Sequence, residues 1–266
     1  MSSDAAGNAL WERIRKAPHR LLAFDFDGTL APYASDPRDA RALPEALDLL
    51  ARLAAADATT VAVVSGRPIP NLDRVVPIDT LHLVGEHGWE ERPPGGAPRH
   101  HPLSREAAQG LERLLDAVVR EGTRAKVERK RTGVAIHTRA LDPQDRAAAL
   151  RHFASVYRRV ADGAGLRLDV LDGGAEAHAL GHDKGTAVRS LLAALPAGTA
   201  PIYAGDDVTD EPAFEAVAER GLGFKVGGPP AGASAVATAA LHRLESPAQV
   251  ADLLARLLRL LEEDAA

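Results

Sequence analysis

The feature that most constrains this chain is a short apolar run that ends in two acidic residues. Leu21–Phe24 are apolar, Asp25 and Asp27 follow at spacing i, i+2, and Gly28 and Thr29 interrupt the run. This pattern predicts a buried strand that ends in a tight turn. Open parallel sheets carry their functional groups at that carboxyl edge. Because a carboxylate can attack phosphorus as a nucleophile, the two acids are candidates for phosphoryl transfer.

The same short motif has other interpretations. Asp-x-Asp-Gly also occurs in calcium loops, and it can be no more than an Asp-Gly turn after a strand. A calcium loop needs a further Asp or Asn before the glycine and a Glu well after it, and Phe26 beside an apolar strand does not fit that pattern. The motif alone therefore does not decide between catalysis and a structural turn.

Composition limits the class of protein. The chain has 266 residues, 45% of them hydrophobic, which suffices for one large domain or two modest ones. The net charge is -5 and the basic residues form no run, so a nucleic-acid partner is not expected. No stretch reaches the roughly 18 to 20 apolar residues of a membrane span, and the polar start does not resemble a signal peptide. Since cysteine is absent, we predict a cytoplasmic protein without disulfides or thiolate metal sites.

A second strand also ends in polar residues. After a helix that opens at Pro44, Thr59–Val64 is apolar and β-branched, and Ser65, Gly66 and Arg67 follow it. Strand, helix and strand in succession predict a parallel sheet. The hydroxyl of Ser65 and the adjacent backbone N–H groups can bind an anion at this edge. The common alternative is an ordinary helix cap.

A third strand precedes a glycine-bracketed pair. Leu81–Val84 is apolar, and Glu86 and His87 lie between Gly85 and Gly88. These two polar residues follow the third strand of the predicted sheet. A single histidine is more often a surface or packing residue than a functional one.

The pattern of predicted helices and strands changes in the middle of the chain. Residues 103–180 predict, in order, a helix, two strands, a helix and two strands, which is the pattern of an α+β unit with an antiparallel sheet. The parallel pattern returns after it. We therefore predict a core domain of residues 1–102 and 181–266 and an inserted cap domain of residues 103–180.

Two charged residues share a face of the predicted cap hairpin. Glu128 and Lys130 are spaced i, i+2 on a strand, so both side chains point the same way. They could form a polar wall over a ligand. A solvated hairpin face is the alternative.

The returning core pattern completes a constellation of polar groups. Lys184 begins a helix, and Asp206 and Asp207 follow the apolar strand Ile202–Ala204. Asp25 can serve as nucleophile and Asp27 as acid and base. Ser65 and Lys184 can bind phosphate. Asp206 and Asp207, completed by Asp25, can bind Mg²⁺, a cation that prefers hard oxygen ligands. The cation and Lys184 would offset the repulsion between a carboxylate and a phosphate.

The order of these motifs resembles the haloacid dehalogenase-like phosphatase superfamily. The stretch from Ser65 to Lys184 is too long for one crossover helix, and it matches those members whose cap is inserted after the second motif. The resemblance implies an α/β fold, with a Rossmann-like parallel-sheet core and an inserted α+β cap of an antiparallel sheet and two helices.

Several motifs narrow the resemblance to the trehalose-6-phosphate phosphatase family. They are Ser65-Gly66-Arg67, Gly85–Gly88, Val127–Lys130, His137–Arg139, Glu176 and Gly205–Glu211. The resemblance implies a Mg²⁺-dependent hydrolase that converts trehalose 6-phosphate to trehalose and phosphate through an aspartyl-phosphate, as part of trehalose biosynthesis. Association with the synthase that makes the substrate is not specified by the sequence.

The family's functional residues can be placed on this chain by their motifs. Asp25 would take the phosphoryl group, and Asp27 would protonate the leaving sugar oxygen and then activate water. Mg²⁺ would be held by Asp25, the backbone carbonyl of Asp27 and Asp206, with Asp207 in support and Asp210 close by. The substrate or its phosphate would contact Ser65, Gly66, Arg67, Glu86 and His87. The disaccharide hydroxyls would contact the cap residues Glu128, Lys130, Arg139 and Glu176.

One departure and several alternatives stand beside this assignment. The family usually has an Arg-Pro pair two residues after its cap glutamate, whereas this chain has His178-Ala179. Other sugar phosphates, such as sucrose phosphate, a mannosyl phosphoglycerate or a hexose phosphate, could be the substrate on the same scaffold. A phosphomutase would need further basic residues in the cap. A catalytically silent sugar-phosphate sensor would be expected to lack one of Asp25, Asp27, Lys184 and Asp206.

Overall fold

A computed structural model describes residues 11–171, 173–228 and 237–265 of the chain. Within these ranges helices and strands alternate. The strands are β1 (Arg20–Phe24), β2 (Thr59–Val64), β3 (His82–Gly85), β4 (Glu90–Arg92), β5 (Arg99–His100), β6 (Lys126–Arg129), β7 (Gly133–His137), β8 (Leu166–Leu171), β9 (Gly174–Ala179), β10 (Ala200–Gly205), β11 (Leu222–Val226) and β12 (His242–Leu244). The α-helices with defined bounds are α1 (Pro44–Ala54), α2 (Ile69–Val75), α3 (Arg105–Glu121), α4 (Pro143–Val160), α5 (Lys184–Ala194), α6 (Glu211–Ala218) and α7 (Pro247–Ala265).

The chain divides into two compact units. Unit 1 comprises the described residues up to Tyr33, Ala40–Arg99 and the described residues from Asp183 onward. Unit 2 comprises Ala34–Asp39 and His100–His182. The grouping of Ala34–Asp39 with the middle of the chain was not expected from the sequence. The limits given above for the functional domains remain predictions.

Unit 1 is organised around β1. An eight-stranded sheet has the order β12-β11-β10-β1-β2-β3-β4-β5, and the strands from β12 to β3 run parallel. All five residues of β1 are buried, which explains their near-continuous apolar character. Because β2 and β10 flank β1 in parallel register, the residues that follow these three strands emerge at one edge of the sheet.

Unit 2 contains a four-stranded antiparallel sheet. Its order is β6-β7-β9-β8, so the predicted hairpin β6-β7 joins the two later strands through the pairing of β7 with β9. Two helices complete the unit, and each begins at a side-chain cap: Ser104 for α3 and Asp142 for α4. The buried apolar residues Val134 and Ile136 alternate along β7 with Gly133 and Ala135.

The predicted fold class is confirmed. A parallel-sheet core and a separate antiparallel α+β unit are both present. The sequence pattern missed the three short strands β4, β5 and β12, which extend the large sheet at its two ends. None of the helices in the described part of the chain combines the length and the apolar character that crossing a membrane requires.

Candidate active site

The turn after β1 places two carboxylates at the sheet edge. The amides of Leu30 and Ala31 donate to the carbonyl of Phe26 at 3.0 and 2.9 Å, which folds the chain back directly after Asp25 and Asp27. Gly28 has φ +82°, a conformation that other residues seldom adopt. A Cβ atom at this position would also lie 2.3 Å from Oδ2 of Asp206. The glycine is therefore required both for the turn and for the approach of Asp206.

Asp25 forms an ion pair with Lys184. Asp25 is 4% exposed, and Nζ of Lys184 lies 2.8 Å from its Oδ1. Burial raises the pKa of Asp25 to about 7, the charge of Lys184 opposes that rise, and the charge of Asp210 adds to it. Burial alone would lower the pKa of Lys184, but Asp210 and Asp25 together hold it above its ordinary value. The lysine is thus charged at the place where a phosphate would meet Asp25.

The helix α5 supplies this lysine from its first residue. Asp183 caps the helix by accepting from the amide of Thr186, whose hydroxyl in turn lies 2.8 Å from the amide of Asp183. At Gly185 a Cβ atom would lie 2.3 Å from the carbonyl oxygen of Pro212, so only glycine allows α5 to approach α6 this closely. These features fix Lys184 at the sheet edge.

Asp210 connects the lysine to the loop after β10. Its Oδ1 accepts from Lys184 at 2.7 Å and from the hydroxyl of Tyr203 at 2.6 Å. Its Oδ2 accepts from the amides of Asp206 and Asp207, each at 2.9 Å. Burial would raise the pKa of Asp210, but the charge and hydrogen bond of Lys184 and the remaining donors hold it below its usual range. Asp210 thus orders the Asp206 loop and positions Lys184.

Three carboxylates converge beside the β1 turn. One oxygen each of Asp25, Asp206 and Asp210 lies within 4.8 Å of the others. Burial and the charges of Asp25 and Asp210 raise the pKa of Asp206 well above its ordinary value. A hard divalent cation would relieve this repulsion, and the donors are all oxygens, so the residues present fit Mg²⁺.

Asp207 does not belong to this cluster. Its Oδ1 accepts from the amide of Val208 at 2.6 Å, and burial raises its pKa. The supporting role in metal binding assigned to Asp207 from the sequence therefore remains a prediction. The structure brings Asp210 into the cluster, whereas the sequence suggested only that Asp210 was nearby.

Asp27 is bound by Arg67 through both carboxylate oxygens. Nε of Arg67 lies 2.6 Å from Oδ2, and Nη2 lies 2.6 Å from Oδ1. The guanidinium also lies 4.8 Å from the ring centroid of Phe26. This bidentate pair joins the turn after β1 to the turn after β2, and it holds Asp27 at the sheet edge.

The turns after β2 and β3 are joined by backbone hydrogen bonds. The amide of His87 donates to the carbonyl of Ser65, and the amide of Glu86 donates to the carbonyl of Arg67, each at 3.0 Å. Glu86 and His87 have φ values of +45° and +58°, and both are buried. Strained, buried residues of this kind concentrate at functional sites. A Cβ at Gly66 would lie 2.6 Å from Nε2 of His87, so the glycine allows the imidazole to pack on the turn.

Ser65 is buried at the end of β2. Its Oγ accepts from the amide of Arg67 at 3.2 Å, as in a simple turn, and its hydroxyl hydrogen can still be donated to an anion. The structure therefore brings all the residues predicted for the core site to one edge of the sheet in unit 1: Asp25, Asp27, Ser65, Gly66, Arg67, Glu86, His87, Lys184, Asp206 and Asp207.

Unit 2 carries a separate polar cluster on its sheet. Nζ of Lys130 lies 2.7 Å from Oε2 of Glu176, with side chains only 8% and 5% exposed. Nε2 of His137 lies 2.7 Å from Oε2 of Glu128. Burial would raise the pKa of Glu128, but the hydrogen bond of His137 and the charge of Lys130 hold it below its ordinary value. The burial of Lys130 and Glu176 does not fit the solvated hairpin face considered above.

The strand register places further residues on the same face. Glu128 lies opposite Ala135, Ala135 opposite Glu176, and Glu176 opposite Asp169. His178, which replaces the family's arginine, is buried and pairs with Asp169 at 2.8 Å. Arg139 follows β7, and a Cβ at Gly173 would lie 3.0 Å from its guanidinium carbon.

Some residues of the core site had no sequence signal. Tyr203 lies within an apolar strand and donates to Asp210, and Tyr33 lies in a loop and donates its hydroxyl hydrogen to Oδ2 of Asp206. Glu90 accepts from the amide of Ile69 at 2.7 Å and so fixes the start of α2 just after Arg67. The residues joined by these three contacts are 7, 173 and 21 positions apart, and periodicity does not reveal such tertiary contacts.

Comparisons with known proteins show a family relationship over most of the chain. A family profile described as trehalose-phosphatase matches residues 23–247. The trehalose-phosphate phosphatase of Mycobacterium ulcerans is 35% identical over 254 residues, which cover 90% of this chain and 62% of that protein. The chain thus spans less than two thirds of the length of this relative.

Two solved structures share the fold. The C-terminal domain of C. albicans trehalose-6-phosphate phosphatase has a TM-score of 0.80 at 21% identity, covering 95% of this chain and 96% of that one. Trehalose-6-phosphate phosphatase of Aspergillus fumigatus has a TM-score of 0.65 at 28% identity, covering 95% and 97%. The family profile extends over most of the sequence and includes every residue of the core site. The chain belongs to the trehalose-phosphatase family.

Proposed function

We propose that this protein hydrolyses trehalose 6-phosphate to trehalose and phosphate through an aspartyl-phosphate. The observation that carries the proposal is the contact between buried Asp25 and Lys184, within a cluster of carboxylates that fits a divalent cation. A nucleophilic carboxylate beside a lysine and a cation site is suited to phosphoryl transfer, because both positive charges offset its repulsion of phosphate. Membership of the family supports trehalose 6-phosphate as the substrate.

In the first step Asp25 attacks the phosphorus atom. A bond forms between a carboxylate oxygen of Asp25 and phosphorus while the bond from phosphorus to the sugar oxygen breaks. Asp27 gives its proton to the departing sugar oxygen, which leaves as a hydroxyl. Lys184 and the hydroxyl of Ser65 stabilise the negative charge on the phosphoryl oxygens.

In the second step water releases the phosphate. Asp27, now ionised, takes a proton from water, the water oxygen bonds to phosphorus, and the bond from phosphorus to Asp25 breaks. Phosphate leaves, and both aspartates return to their starting forms. Because Arg67 binds both oxygens of Asp27, it fixes the carboxylate between these two proton transfers, and one of its hydrogen bonds must yield while the proton is held.

The proposed reaction uses Mg²⁺ as its cofactor. Asp25, Asp206 and the backbone carbonyl of Asp27 would hold it, with Asp210 and Asp207 in support. When bound, the cation would neutralise charge on the phosphate and on Asp25. Asp210 holds the loop of Asp206 and Asp207 through hydrogen bonds to their amides, and Lys184 donates to Asp210.

The polar cluster of unit 2 is proposed to recognise the sugar. Glu128, Lys130, Arg139 and Glu176 offer donors and acceptors that suit hydroxyl groups. A site built to pair hydroxyls rejects a ligand that leaves its buried polar groups unpaired. Selectivity for trehalose over other sugars would therefore depend on unit 2, and phosphoryl transfer on unit 1.

The test is phosphate release by the purified protein with Mg²⁺ and with EDTA. The substrates are trehalose 6-phosphate, sucrose 6-phosphate, glucose 6-phosphate and an aryl phosphate. We expect turnover that needs Mg²⁺ and strongly prefers trehalose 6-phosphate. Equal activity on all four substrates would reject the sugar assignment and keep the aspartyl-phosphate chemistry. Binding of trehalose 6-phosphate without turnover would favour a sugar-phosphate sensor.

Other expectations from the sequence remain predictions. These are the cytoplasmic location, the lack of nucleic-acid and membrane partners, and any association with a trehalose-phosphate synthase.

A further inference from the structure

Tyr33 contacts the carboxylate cluster from outside the family motifs. Its hydroxyl donates to Oδ2 of Asp206, and its side chain lies against the β1 turn. A Cβ atom added to Gly28 would be 2.7 Å from the ring carbon that bears the hydroxyl. The turn glycine thus makes room for both the carboxylate and the phenol.

The three carboxylates of the cluster are held in different ways. Lys184 binds Asp25 and Asp210 at 2.8 and 2.7 Å. Asp206 takes its side-chain hydrogen bonds from Tyr33 and, at a long 3.5 Å, from the hydroxyl of Thr29. Of these donors to Asp206, Tyr33 has the shorter contact.

The orientation of Asp206 decides whether the cluster is preformed. A carboxylate rotates readily about its last side-chain bond unless hydrogen bonds fix it. The repulsion of Asp25 and Asp210 favours turning Asp206 away from them. A donor that holds one oxygen of Asp206 therefore limits this rotation and keeps the carboxylate beside its two neighbours.

We infer that Tyr33 is a positioning residue for the cation, holding Asp206 in the orientation that faces Asp25 and Asp210. The inference rests on the cation site of the proposed function. Hydrogen bonds to metal-binding groups commonly change metal affinity by about 10- to 100-fold. Because Tyr33 is 39% exposed, we expect its hydrogen bond to change the metal affinity by the lower end of this range, about tenfold.

The hydroxyl can be removed without removing the ring. Tyr33→Phe keeps the contact with the β1 turn and deletes only the donor to Asp206. Tyr157→Phe is a matched control, because the hydroxyl of Tyr157 donates to the carbonyl of Leu166 at 2.8 Å in unit 2. Both variants lose one tyrosine hydrogen bond, but only the first loses a donor to the cation cluster.

The experiment measures cation binding directly. Mg²⁺ is titrated calorimetrically into the wild-type chain and both variants after EDTA treatment, and Mn²⁺ binding is followed through the paramagnetic signal of the free ion. We expect Tyr33→Phe to bind either cation about tenfold more weakly and Tyr157→Phe to bind like the wild type. In turnover, the Mg²⁺ concentration for half activation should rise by the same factor for Tyr33→Phe and stay unchanged for Tyr157→Phe.

The outcomes separate this inference from the proposed function. If the wild-type chain binds neither cation, the proposed cation site is wrong and the inference fails with it. If the wild type binds and Tyr33→Phe binds equally or more tightly, only the role of Tyr33 is rejected. A Tyr33→Phe chain that melts well below Tyr157→Phe in EDTA would show a structural role and would also reject the inference.

Discussion

At the scale of single residues, the chain concentrates negative charge where its proposed substrate is also negative. Asp25, Asp206 and Asp210 share a space in which one oxygen of each lies within 4.8 Å of the others, and Lys184 bonds to two of them. Carboxylates this close together and this buried are stable only when positive charges and hydrogen bonds offset their repulsion and their loss of solvent. The arrangement therefore suits a bound positive charge, which Lys184 supplies in part and the proposed cation would complete.

The nucleophile is tested by its nearest isostere. Asp25→Asn keeps the shape of the side chain but removes the oxygen that would attack phosphorus, so turnover should fall by about a thousandfold or more. Asp48→Asn, at an exposed position of α1, is the matched control and should retain full activity. Phosphate release under saturating Mg²⁺ measures both. Unchanged release by Asp25→Asn would remove the basis of the proposed mechanism.

The turn glycine makes a second residue-level prediction. Gly28 and Gly95 both have positive φ, at +82° and +63°, but only at Gly28 would a Cβ atom collide with its surroundings. Each change to alanine should destabilise the fold by about 1 kcal/mol through backbone strain. Gly28→Ala should in addition displace Asp206 and weaken Mg²⁺ binding, as measured by calorimetry. Equal Mg²⁺ binding by the two variants would show that the cluster does not depend on this close approach.

Residue types and spacing predicted much of the candidate site, but not all of it. Asp25, Asp27 and Asp206 each follow an apolar strand, and such positions meet at one edge of a parallel sheet. Asp210 was expected only nearby, because its four hydrogen-bond donors belong to Lys184, Tyr203 and two loop amides. Pairing between distant residues leaves no periodic signal.

At the scale of elements, the sheet of unit 2 has two different faces. Glu128, Glu176 and Asp169 lie on one face in register, and the small residue Ala135 lies between the first two. The side chain of Ala135 is only a methyl group, so it does not separate the two glutamates with a bulky side chain. The other face carries the apolar residues that pack in the unit's interior.

The role of this face is tested on two substrates. Glu128→Ala should reduce kcat/KM for trehalose 6-phosphate by about tenfold or more, since a lost charged hydrogen bond is worth about 1.5 to 3 kcal/mol. It should leave the hydrolysis of an aryl phosphate nearly unchanged, because that substrate has no sugar hydroxyls. Arg129→Ala is the control, because Arg129 is the exposed neighbour on the same strand. Equal losses on both substrates would exclude a sugar-specific role for Glu128.

The Asp169–His178 pair predicts how stability depends on pH. Burial would raise the pKa of Asp169, but the hydrogen bond and charge of His178 and the charge of Arg167 hold it below its ordinary value. A carboxyl group whose pKa is lower in the folded chain stabilises the fold at pH values above its pKa in the unfolded chain, which is about 3.9. This contribution is lost as the pH falls through the pKa of the group in the folded chain.

Urea unfolding measures this contribution directly. Asp169→Asn should unfold at lower urea than the wild type at pH 7, and the difference should narrow as the pH falls below about 4. Asp116→Asn, at an exposed position of α3, should show no such difference. If the difference in urea midpoint between Asp169→Asn and the wild type does not change with pH, the charge of the Asp169 carboxylate is not what stabilises the fold.

The elements themselves were predictable to different degrees. β1 and β2 have the apolar run and the breaker that sequence patterns recognise, and β2 was predicted with the bounds it has, Thr59–Val64. β4 was missed because its three residues, Glu90–Arg92, are all charged. Glu90 is nevertheless buried, and its carboxylate accepts the amide of Ile69. A short strand stabilised by such a tertiary hydrogen bond has no local signature.

At the scale of the whole molecule, the two units carry groups of different chemistry. Unit 1 presents Lys184 and a carboxylate cluster, which suit a cation and a phosphate. Unit 2 presents the buried ion pair Lys130–Glu176 and the Glu128–His137 pair, which suit hydroxyl groups. A sugar phosphate contains both kinds of group, so the proposed function assigns one part of the substrate to each unit.

The two products can report on the units separately. Hydrogen exchange is measured on the intact protein with Mg²⁺ and inorganic phosphate, with trehalose alone, and with maltose as a disaccharide control. Phosphate with Mg²⁺ should slow exchange in Gly205–Asp210 and the adjoining turns of unit 1, because bound ligands suppress local opening. Trehalose should slow exchange in β6, β7 and β9 of unit 2, and maltose should have a smaller effect at the same concentration. If trehalose instead protects only unit 1, sugar recognition does not depend on the unit 2 sheet, and the division of the substrate between the units is wrong.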